Sequence, residues 1–505
     1  MKKCKKSLFF SAALMVALFF TITIAACSRS GFKAPAASTG PDKVTILLEG
    51  DTNPNAQNIV LDELGKKTNT VIDMIYTAAG EYGSKLSILV AGGTPPDIFR
   101  ANSNTAQEFI DAGLLADVSK YLDTLGPNIL ADVGNVLYQC QVNKNGVYMI
   151  PDGNIYYAMN LCMRTDWLKN LGMDLPTDLN SLYKVYYAFT YNDPDGNGKK
   201  DTFGLAANTF PDMKAFASIF GAFGIPHNST IIQDDGTLTT WVKHPQYLDA
   251  VTYIRRLIAD GLVEPDWVTI PAMDMFAKLW NGVAGAIEWE CYGPTNNWMP
   301  VRYTEAVTPT FGFPIIRGPD GKHGVRKQFP SLGSGTVISS KANIEAAIRI
   351  ADFCKTPEGS DLLFLGVEDV MYRWTDKVDG KYEYLGKYTD LTTHRAEGGF
   401  VYGGLFPPRD NAQWRTLNKQ SREGSELAWS EGLDNTANVI ADLKTWVEYG
   451  PEMNQIVREM YAQLLTTKED LRTVYNRFLR EWEVAGGIEW EKEVNAAWIA
   501  QGRKN

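Results

Sequence analysis

The stretch 43–122 limits the fold more than any other part of the chain, because apolar runs of strand length alternate there with helical patterns. "KVTILL" (43–48) is a short apolar run of strand type, "NAQNIVLDELGKKTN" (55–69) places Ile59, Val60, Leu61 and Leu64 near helical spacing, and "TVIDMIY" follows as a second strand. "EYGSKLSILVAGG" (81–93) returns to helix and ends on paired glycines, which suit a helix C-terminus. "PPDIFR" (95–100) reads as a third strand and "TAQEFIDAGLLADVSKYL" (105–122) as a helix with a glycine break. Strands separated by helices of this length pair in parallel through right-handed crossovers, so an α/β domain is expected.

"GVYMIPDGNIYYAMNLCMRTDWLKNLG" (146–172) leaves that domain, and a mainly helical region is expected to follow. "VAGAIEWE" (283–290) reads as a strand, "FGFPIIRGPDGKHGVRKQFP" (311–330) as two strands joined by a "GPDG" turn, and "GSGTVISS" (333–340) as another strand. A helix over "NIEAAIRIADFCKTPEG" and a C-terminal series of amphipathic helices complete the pattern, with no internal repeat of solenoid or propeller period.

The N-terminus speaks to compartment. Lys2, Lys3, Lys5 and Lys6 precede the uncharged run "LFFSAALMVALFFTITIAA" from Leu8 to Ala26, and small residues lead into Cys27. A basic start, an apolar centre and a small-residue end describe an export signal, a better match than a membrane-spanning anchor. The ending "IAAC" resembles the lipobox of bacterial lipoproteins, with Ile24 where leucine is commoner; the resemblance implies cleavage after Ala26 and lipidation of Cys27. Residues 1–26 are then a signal peptide. Residues 27–42, small, polar and Pro-containing, are a flexible tether.

About 460 residues remain, enough for two or three domains. Of 49 basic residues, loss of the four leader lysines leaves 45 against 59 acidic ones, moving the formal charge from −10 to −14. That balance argues against nucleic acid as a partner, since affinity for phosphate backbones comes from basic clusters. Cys140, Cys162, Cys291 and Cys354 show no CxxC pair and no metal spacing; two disulfides and scattered buried thiols both remain open.

"NDPDGNGKKDTFG" carries the sharpest local signal. Counted from Asp193, oxygen ligands fall at positions 1, 3, 5 and 9 (Asp193, Asp195, Asn197, Asp201), the Lys199 carbonyl at 7 and Gly198 at 6. This is the ligand spacing of a calcium-binding EF-hand loop, whose glycine permits the sharp turn. Position 12 departs from it, being Gly204 where a bidentate Glu is expected. Structural calcium is the expectation, against a plain Asx/Gly turn.

The 13 Trp, 23 Tyr and 22 Phe point to a ligand with apolar ring faces, because sugar rings stack on aromatic side chains while amides and carboxylates take their hydroxyls. "AIEWECYGPTNNWMP" (286–300) gathers Trp289, Glu290, Tyr292, Asn296, Asn297 and Trp298 just after a strand end, where open α/β sheets bind ligands. Tyr156, Tyr157, Trp374 and Tyr402 are further candidates. No basic cluster accompanies 286–300, which suits a neutral or weakly acidic sugar. Glu288 and Glu290, two apart on a strand, are the one pair to weigh as glycosidase acids, but such pairs usually come from separate elements. There is no G-x-S-x-G, no Walker loop and no HExxH, so no catalytic residues are assigned.

Several segments occur in the order shown by the extracellular solute-binding proteins of bacterial ABC importers. They are the lipobox; "AGGTPPDIFR" (91–100); "GLLADVSKYL" (113–122); "YMIP" followed by "MRTDWLKNLGMDLPTDLNSLYKVYYAF"; the acidic loop; "FPIIRGPDGK" (313–322); "GVEDVMYRW" (366–374); and the terminal "WEKEVNAAW". Across 43–505 the chain resembles the oligosaccharide-binding lipoprotein subgroup of that family. The resemblance implies a two-lobe, periplasmic-binding-protein-like (type II) α/β fold with a hinge and a helix-rich second lobe. It places 43–151 plus 328–365 in the first lobe and 152–327 plus 366–505 in the second. It further implies a cleft tryptophan near 289–298, an acidic residue just after the last loop Asp (Thr202 here), and a monomeric, lipid-anchored receptor that hands an oligosaccharide to ABC permease subunits. A cell-surface lyase or glycosidase, and a receptor for a non-sugar ligand such as a peptide, are the alternatives.

Overall fold

A computed structural model describes residues 40–500 apart from 51–53, 78–79, 154–156, 209–214, 291–308, 325–326, 329–332 and 434–442. The leader, Cys27 and most of the tether lie outside the described residues. Pro41–Asn505 forms one compact unit, and no described helix is long and apolar enough to cross a membrane.

Five strands build the first sheet. β1 (Asp42–Glu49) lies parallel to both β2 (Thr70–Thr77) and β3 (Ile98–Asn102), as the alternation of elements predicts. β4 (Met149–Pro151) forms the far edge, and β11 (Ser334–Ile338) runs antiparallel between β3 and β4. In β1, Val44, Ile46 and Leu48 enter one core while Leu47 enters another, the two-residue alternation of a strand covered on both faces. Helices Ile59–Thr68, Pro127–Leu137 and Ile344–Cys354 pack on one face, through Leu64, Ile129 and Ile348 among others. Helices Tyr82–Ala91 and Ser103–Asp111 pack on the other, through Leu86 and Ala106. Side-chain caps set where two of these helices begin: Asn58 accepts the Leu61 N–H, and Asn102, the last residue of β3, accepts the Thr105 N–H.

The second sheet is centred on β5 (Tyr157–Arg164), paired antiparallel with β8 (Ala286–Glu290), β9 (Phe311–Gly312) and β10 (Lys327–Gln328). Its main core is aromatic. Phe220, Trp241, Tyr247 and Tyr461 pack around one another, Phe220 meeting Trp241 at 5.1 Å between ring centroids. The hairpin of β6 (Thr230–Ile232) and β7 (Leu238–Thr240) and the helices Tyr247–Ala259, Lys444–Thr466, Leu471–Trp482 and Ile488–Ala500 enclose it.

Three passages of chain join the two sheets. Residues 152–156 lead from β4 to β5, and 329–333 lead from β10 back to β11. Gly335 lies opposite Pro151 and Gln328 opposite Tyr157, so the strands flanking these two passages are paired at both ends. The third follows Phe406, which is buried in the first core, and precedes the helix Lys419–Ser430, whose Gly424 carbonyl accepts from Asn160 of β5 at 3.1 Å.

The expected split gave all of 366–505 to the second lobe. Met371, Tyr388, Tyr402 and Phe406 are instead buried in the core of the first sheet. Two hydrogen bonds hold this stretch there: the His394 ring donates to the Leu365 carbonyl at 2.8 Å, and Asn58 donates to the Tyr402 hydroxyl at 2.8 Å. The hairpin of β12 (Tyr372–Asp376) and β13 (Lys381–Tyr384) belongs to the same stretch.

The Lys355 ammonium fastens the passages to the first core. Its side chain is fully buried, pairs with Asp132 at 2.9 Å, and donates to the carbonyls of Pro151 and Pro407 at 3.1 Å each. Burial lowers its pKa against the pull of Asp132. Gly153 donates to the Pro407 carbonyl at 2.7 Å, and a Cβ there would sit 2.2 Å from the Arg409 nitrogen, so only glycine lets the first and third passages lie this close. Removing one partner of a buried pair costs about 3–5 kcal/mol. Lys355→Ala should lower the unfolding free energy in urea by that amount. Lys43→Ala, which breaks the exposed pair with Asp73, should leave it nearly unchanged.

Candidate functional site

The passages join the two sheets at particular ends. β1 and β3 finish at Glu49 and Asn102, β4 finishes at Pro151, and β11 begins at Ser334; at the other sheet, β5 begins at Tyr157 opposite the last turn of chain from β10, and β8 finishes beside it at Glu290. The strand ends of both sheets therefore adjoin the passages between them, where open α/β sheets take ligands.

A cavity of about 680 Å³ opens at the first of these ends. Leu86 and Phe109 give it apolar wall, and Glu49, Tyr82, Arg100 and Asp152 give it polar groups. Arg100 grips Asp152 with a two-pronged guanidinium–carboxylate pair, at 2.8 Å and 2.7 Å. Burial opposes the charge of Arg100, but Asp152 outweighs it and raises the arginine pKa. The Tyr82 hydroxyl accepts the Arg100 backbone N–H at 2.7 Å and donates to the Arg100 carbonyl at 3.0 Å, fixing helix Tyr82–Ala91 to β3. Burial pushes that phenol up to about 12, so it stays protonated as a donor. None of these polar residues was singled out from the sequence. The available signal was a charged residue closing an apolar strand in "PPDIFR" and another just past "YMIP".

At the second sheet, Trp289 of β8 is partly buried against Phe276, edge to face at 5.4 Å, and Glu290 pairs in register with Met159. Tyr157 begins β5. Tyr156, Tyr292, Asn296, Asn297 and Trp298 lie outside the described residues. The structure thus puts Trp289, Glu290 and Tyr157 on strand ends next to the passages. Two other candidates fall elsewhere. Tyr402 is fully buried, its hydroxyl held by Asn58, and is a core residue of the first sheet rather than a ligand wall. Trp374 packs inside the β12–β13 hairpin, edge to face with Tyr372 and Tyr382 at about 6 Å, and does not line the strand-end cavity.

Glu288, the neighbour of Trp289, faces the opposite side of β8 and is buried under the Ser218 backbone N–H at 3.2 Å. Burial pushes its carboxyl up to about 7. The Glu288/Glu290 pairing considered for glycoside hydrolysis therefore has one member sealed in the core.

The acidic loop follows helix Leu179–Tyr191. Asp193 accepts the Asn197 and Gly198 N–H groups at 3.0 and 2.9 Å, and Gly198 has a φ of 76°, the sharp turn its position requires. Asn197 donates its amide to Asp195 at 2.8 Å and lies 3.3 Å from Asp201. Burial and the neighbouring charges of Asp193 and Asp201 raise the pKa of Asp195. Among the described residues, no three Asp, Glu, His or Cys side chains stand in metal-holding geometry. Thr202 turns away from the loop, donating to the Phe189 carbonyl at 2.7 Å, and the Gly204 N–H goes to Thr190. Cys140, Cys162 and Cys354 are buried free thiols; Cys291 lies outside the described residues.

The model of the bacterial extracellular solute-binding protein family matches residues 49–361, more than half of the chain. The chain belongs to that family. Its relatives match it over most of their length. Lipoprotein LipO of Bacillus subtilis is 25% identical over 500 residues, covering 94% of this chain and 95% of that protein. The polygalacturonan/rhamnogalacturonan-binding protein YtcQ of the same organism is 25% identical over 499 residues, with the same coverage. The fructooligosaccharide ABC transporter substrate-binding protein FusA of Streptococcus pneumoniae is 21% identical over 478 residues, 87% of this chain and 83% of that protein. The structure of FusA in complex with kestose superposes with a TM-score of 0.64 at 18% identity, over 91% of this chain and 99% of that one, and an EF-hand mutant of FusA has been solved as well. The likeness shows a shared fold, the two-lobe α/β architecture expected of the sequence.

The Glu288 carboxyl has a folded pKa above its unfolded value of about 4.3, so the stability it contributes is fully present below that pH and is lost as pH rises through about 7. Glu288→Gln should match the native protein near pH 4.5 and exceed it by about 1–3 kcal/mol above pH 7, read from chemical denaturation across that range.

Proposed function

We propose that the protein is a lipid-anchored receptor that captures an oligosaccharide between its two lobes and delivers it to a membrane permease. The observation that carries this reading is the strand-end cavity, where a few oriented polar groups sit beside apolar wall next to the passages joining the sheets. The family match and the sugar-binding names of FusA and YtcQ support a glycan as the ligand. Trp289, Glu290 and Tyr157 supply the facing strand end, with Tyr156, Tyr292, Asn297 and Trp298 adjoining them in sequence. The two lobes close about an interlobe hinge, and closure encloses the sugar. The chain performs no chemistry on its ligand; the burial of Glu288 speaks for this. Cys27 carries the lipid, and the receptor works as a monomer.

Ligand binding to the folded state raises stability by mass action. In a thermal-shift screen of the mature protein, plant and microbial oligosaccharides should raise the melting temperature. Stabilisation by peptides or amino acids alone would overturn the sugar assignment.

We further propose that the acidic loop binds a calcium ion as a structural staple, its carboxylates drawing closer together than in the arrangement described above. Asp193, Asp195 and Asp201 supply carboxylates within one turn, Lys199 a carbonyl, and Asn197 its amide oxygen once that group rotates. Thr202 is engaged elsewhere, so water completes the shell. Bound calcium neutralises the clustered carboxylates and pins the loop, which is already tied to helix Thr165–Leu171 through Asn170 and the Pro194 carbonyl. Chelation and Asp193→Ala should lower the melting temperature equally, and chelation should do nothing further to the variant; a native protein indifferent to both retires the metal.

A further inference from the structure

Among the described residues, Arg100 is the only cationic side chain lining the cavity at the end of the first sheet, and it is already paired. Both of its terminal nitrogens go to Asp152, at 2.8 and 2.7 Å, and one also reaches toward the Gly404 carbonyl at 3.5 Å. Glu49 and Glu108 line the same cavity, so three carboxylates and one guanidinium share its wall. Glu49 spends one oxygen on the Gly80 N–H at 2.7 Å, which holds the carboxylate in place without cancelling its charge. An arginine that recognises an acidic sugar must offer its planar two-donor edge to the incoming carboxylate. Here a resident carboxylate occupies that edge.

We propose that Asp152 sets the charge preference of this subsite, which accepts an uncharged sugar unit and turns away a uronate. The inference rests on the receptor reading above and narrows it. Side-chain exposures of 31% for Arg100 and 27% for Asp152 leave the outer face of the pair open to the cavity. That face offers a hydroxyl-bearing ring both donors and acceptors while presenting almost no net charge of its own. Leu86 and Phe109 supply wall for the apolar ring faces. A uronate carboxylate entering the same space meets Glu49, Glu108 and Asp152, with no unpaired cation among the described lining residues to receive it.

Calorimetric titration of the mature protein with two sets of trimers tests this: neutral ones (kestose, maltotriose, xylotriose) and acidic ones (galacturonate, mannuronate). The native protein should bind at least one neutral trimer tenfold or more tighter than any acidic one. Its affinity should change less than twofold between low and physiological salt. Asp152→Asn frees the Arg100 edge and should raise acidic-trimer affinity at least tenfold, in a salt-sensitive manner. Arg100→Gln removes the cation instead and should weaken neutral binding without that gain, which serves as the second reading if Asp152→Asn folds poorly. Acidic trimers bound as tightly as neutral ones by the native protein, or no gain in Asp152→Asn with gain in Arg100→Gln, would overturn the proposal while leaving the receptor intact. Silence toward every sugar in a folded protein defeats the receptor reading and this inference together.

Discussion

A single buried ammonium organises the way this chain goes back and forth between its two sheets. Lys355 lies on the far side of the sequence from Pro151 and before Pro407, yet it holds the carbonyls of both, with Asp132 supplying the counter-charge. A charge taken out of water is costly unless its partners are complete. Here the ammonium has three donors and three acceptors, one carboxylate and two carbonyls. Asp132 in turn accepts the Arg409 N–H at 2.7 Å, so the third passage is held by side chain and backbone together. The consequence is mechanical. The starts of the first and third passages are thereby bound to the first core as far as Gly153 and Arg409.

That arrangement explains which parts of the fold were legible in the sequence. The order of β1, β2 and β3 followed from local pattern, because each strand is a short apolar run and the segments between them carry helical periodicity, the first of these helices capped by Asn58. The pairing of Gly335 with Pro151 leaves no local trace, since a five-residue apolar run does not state its neighbour. The boundary at 365 failed for a related reason. The stretch from Met371 to Phe406 contains hairpin, single helical turns and glycines, and what ties it to the first core is burial of Tyr402 and Phe406 against helices hundreds of residues earlier.

Aromatic content misled in an instructive way. The abundance of Trp and Tyr suggested a ligand wall, yet Trp167, Trp241, Trp482, Trp490 and Trp498 are buried in the helical core of the second lobe. An α-rich lobe with a small sheet needs large side chains to fill the space between crossing helices, and edge-to-face pairs add about 0.5–1.5 kcal/mol each beyond area burial. An aromatic side chain is a candidate for the site only where the backbone puts it at a strand end beside the passages. Trp289 meets that condition; Trp374 and Tyr402 do not. The polar half of the site was harder to see, because an Arg and an Asp separated by fifty-odd residues look like ordinary surface charges until β3 and β4 are laid in one sheet with β11 between them.

The acidic loop obeys the same logic of compensated charge, with one difference. At Lys355 and at Arg100 each charge meets its opposite, whereas Asp193, Asp195 and Asp201 meet backbone N–H groups and the Asn197 amide. Those are dipoles, and they offset only part of what burial, first, and the neighbouring carboxylates, second, do to hold the proton on Asp195 more tightly than usual. Thr202 and Gly204 are committed to helix Leu179–Tyr191 and bring no further anion. A loop with fewer acidic ligands binds calcium more weakly but also repels itself less when empty. On the calcium reading proposed above, the helix-side hydrogen bonds of Thr202 and Gly204 anchor the end of the loop that carries Asp201 before any ion binds.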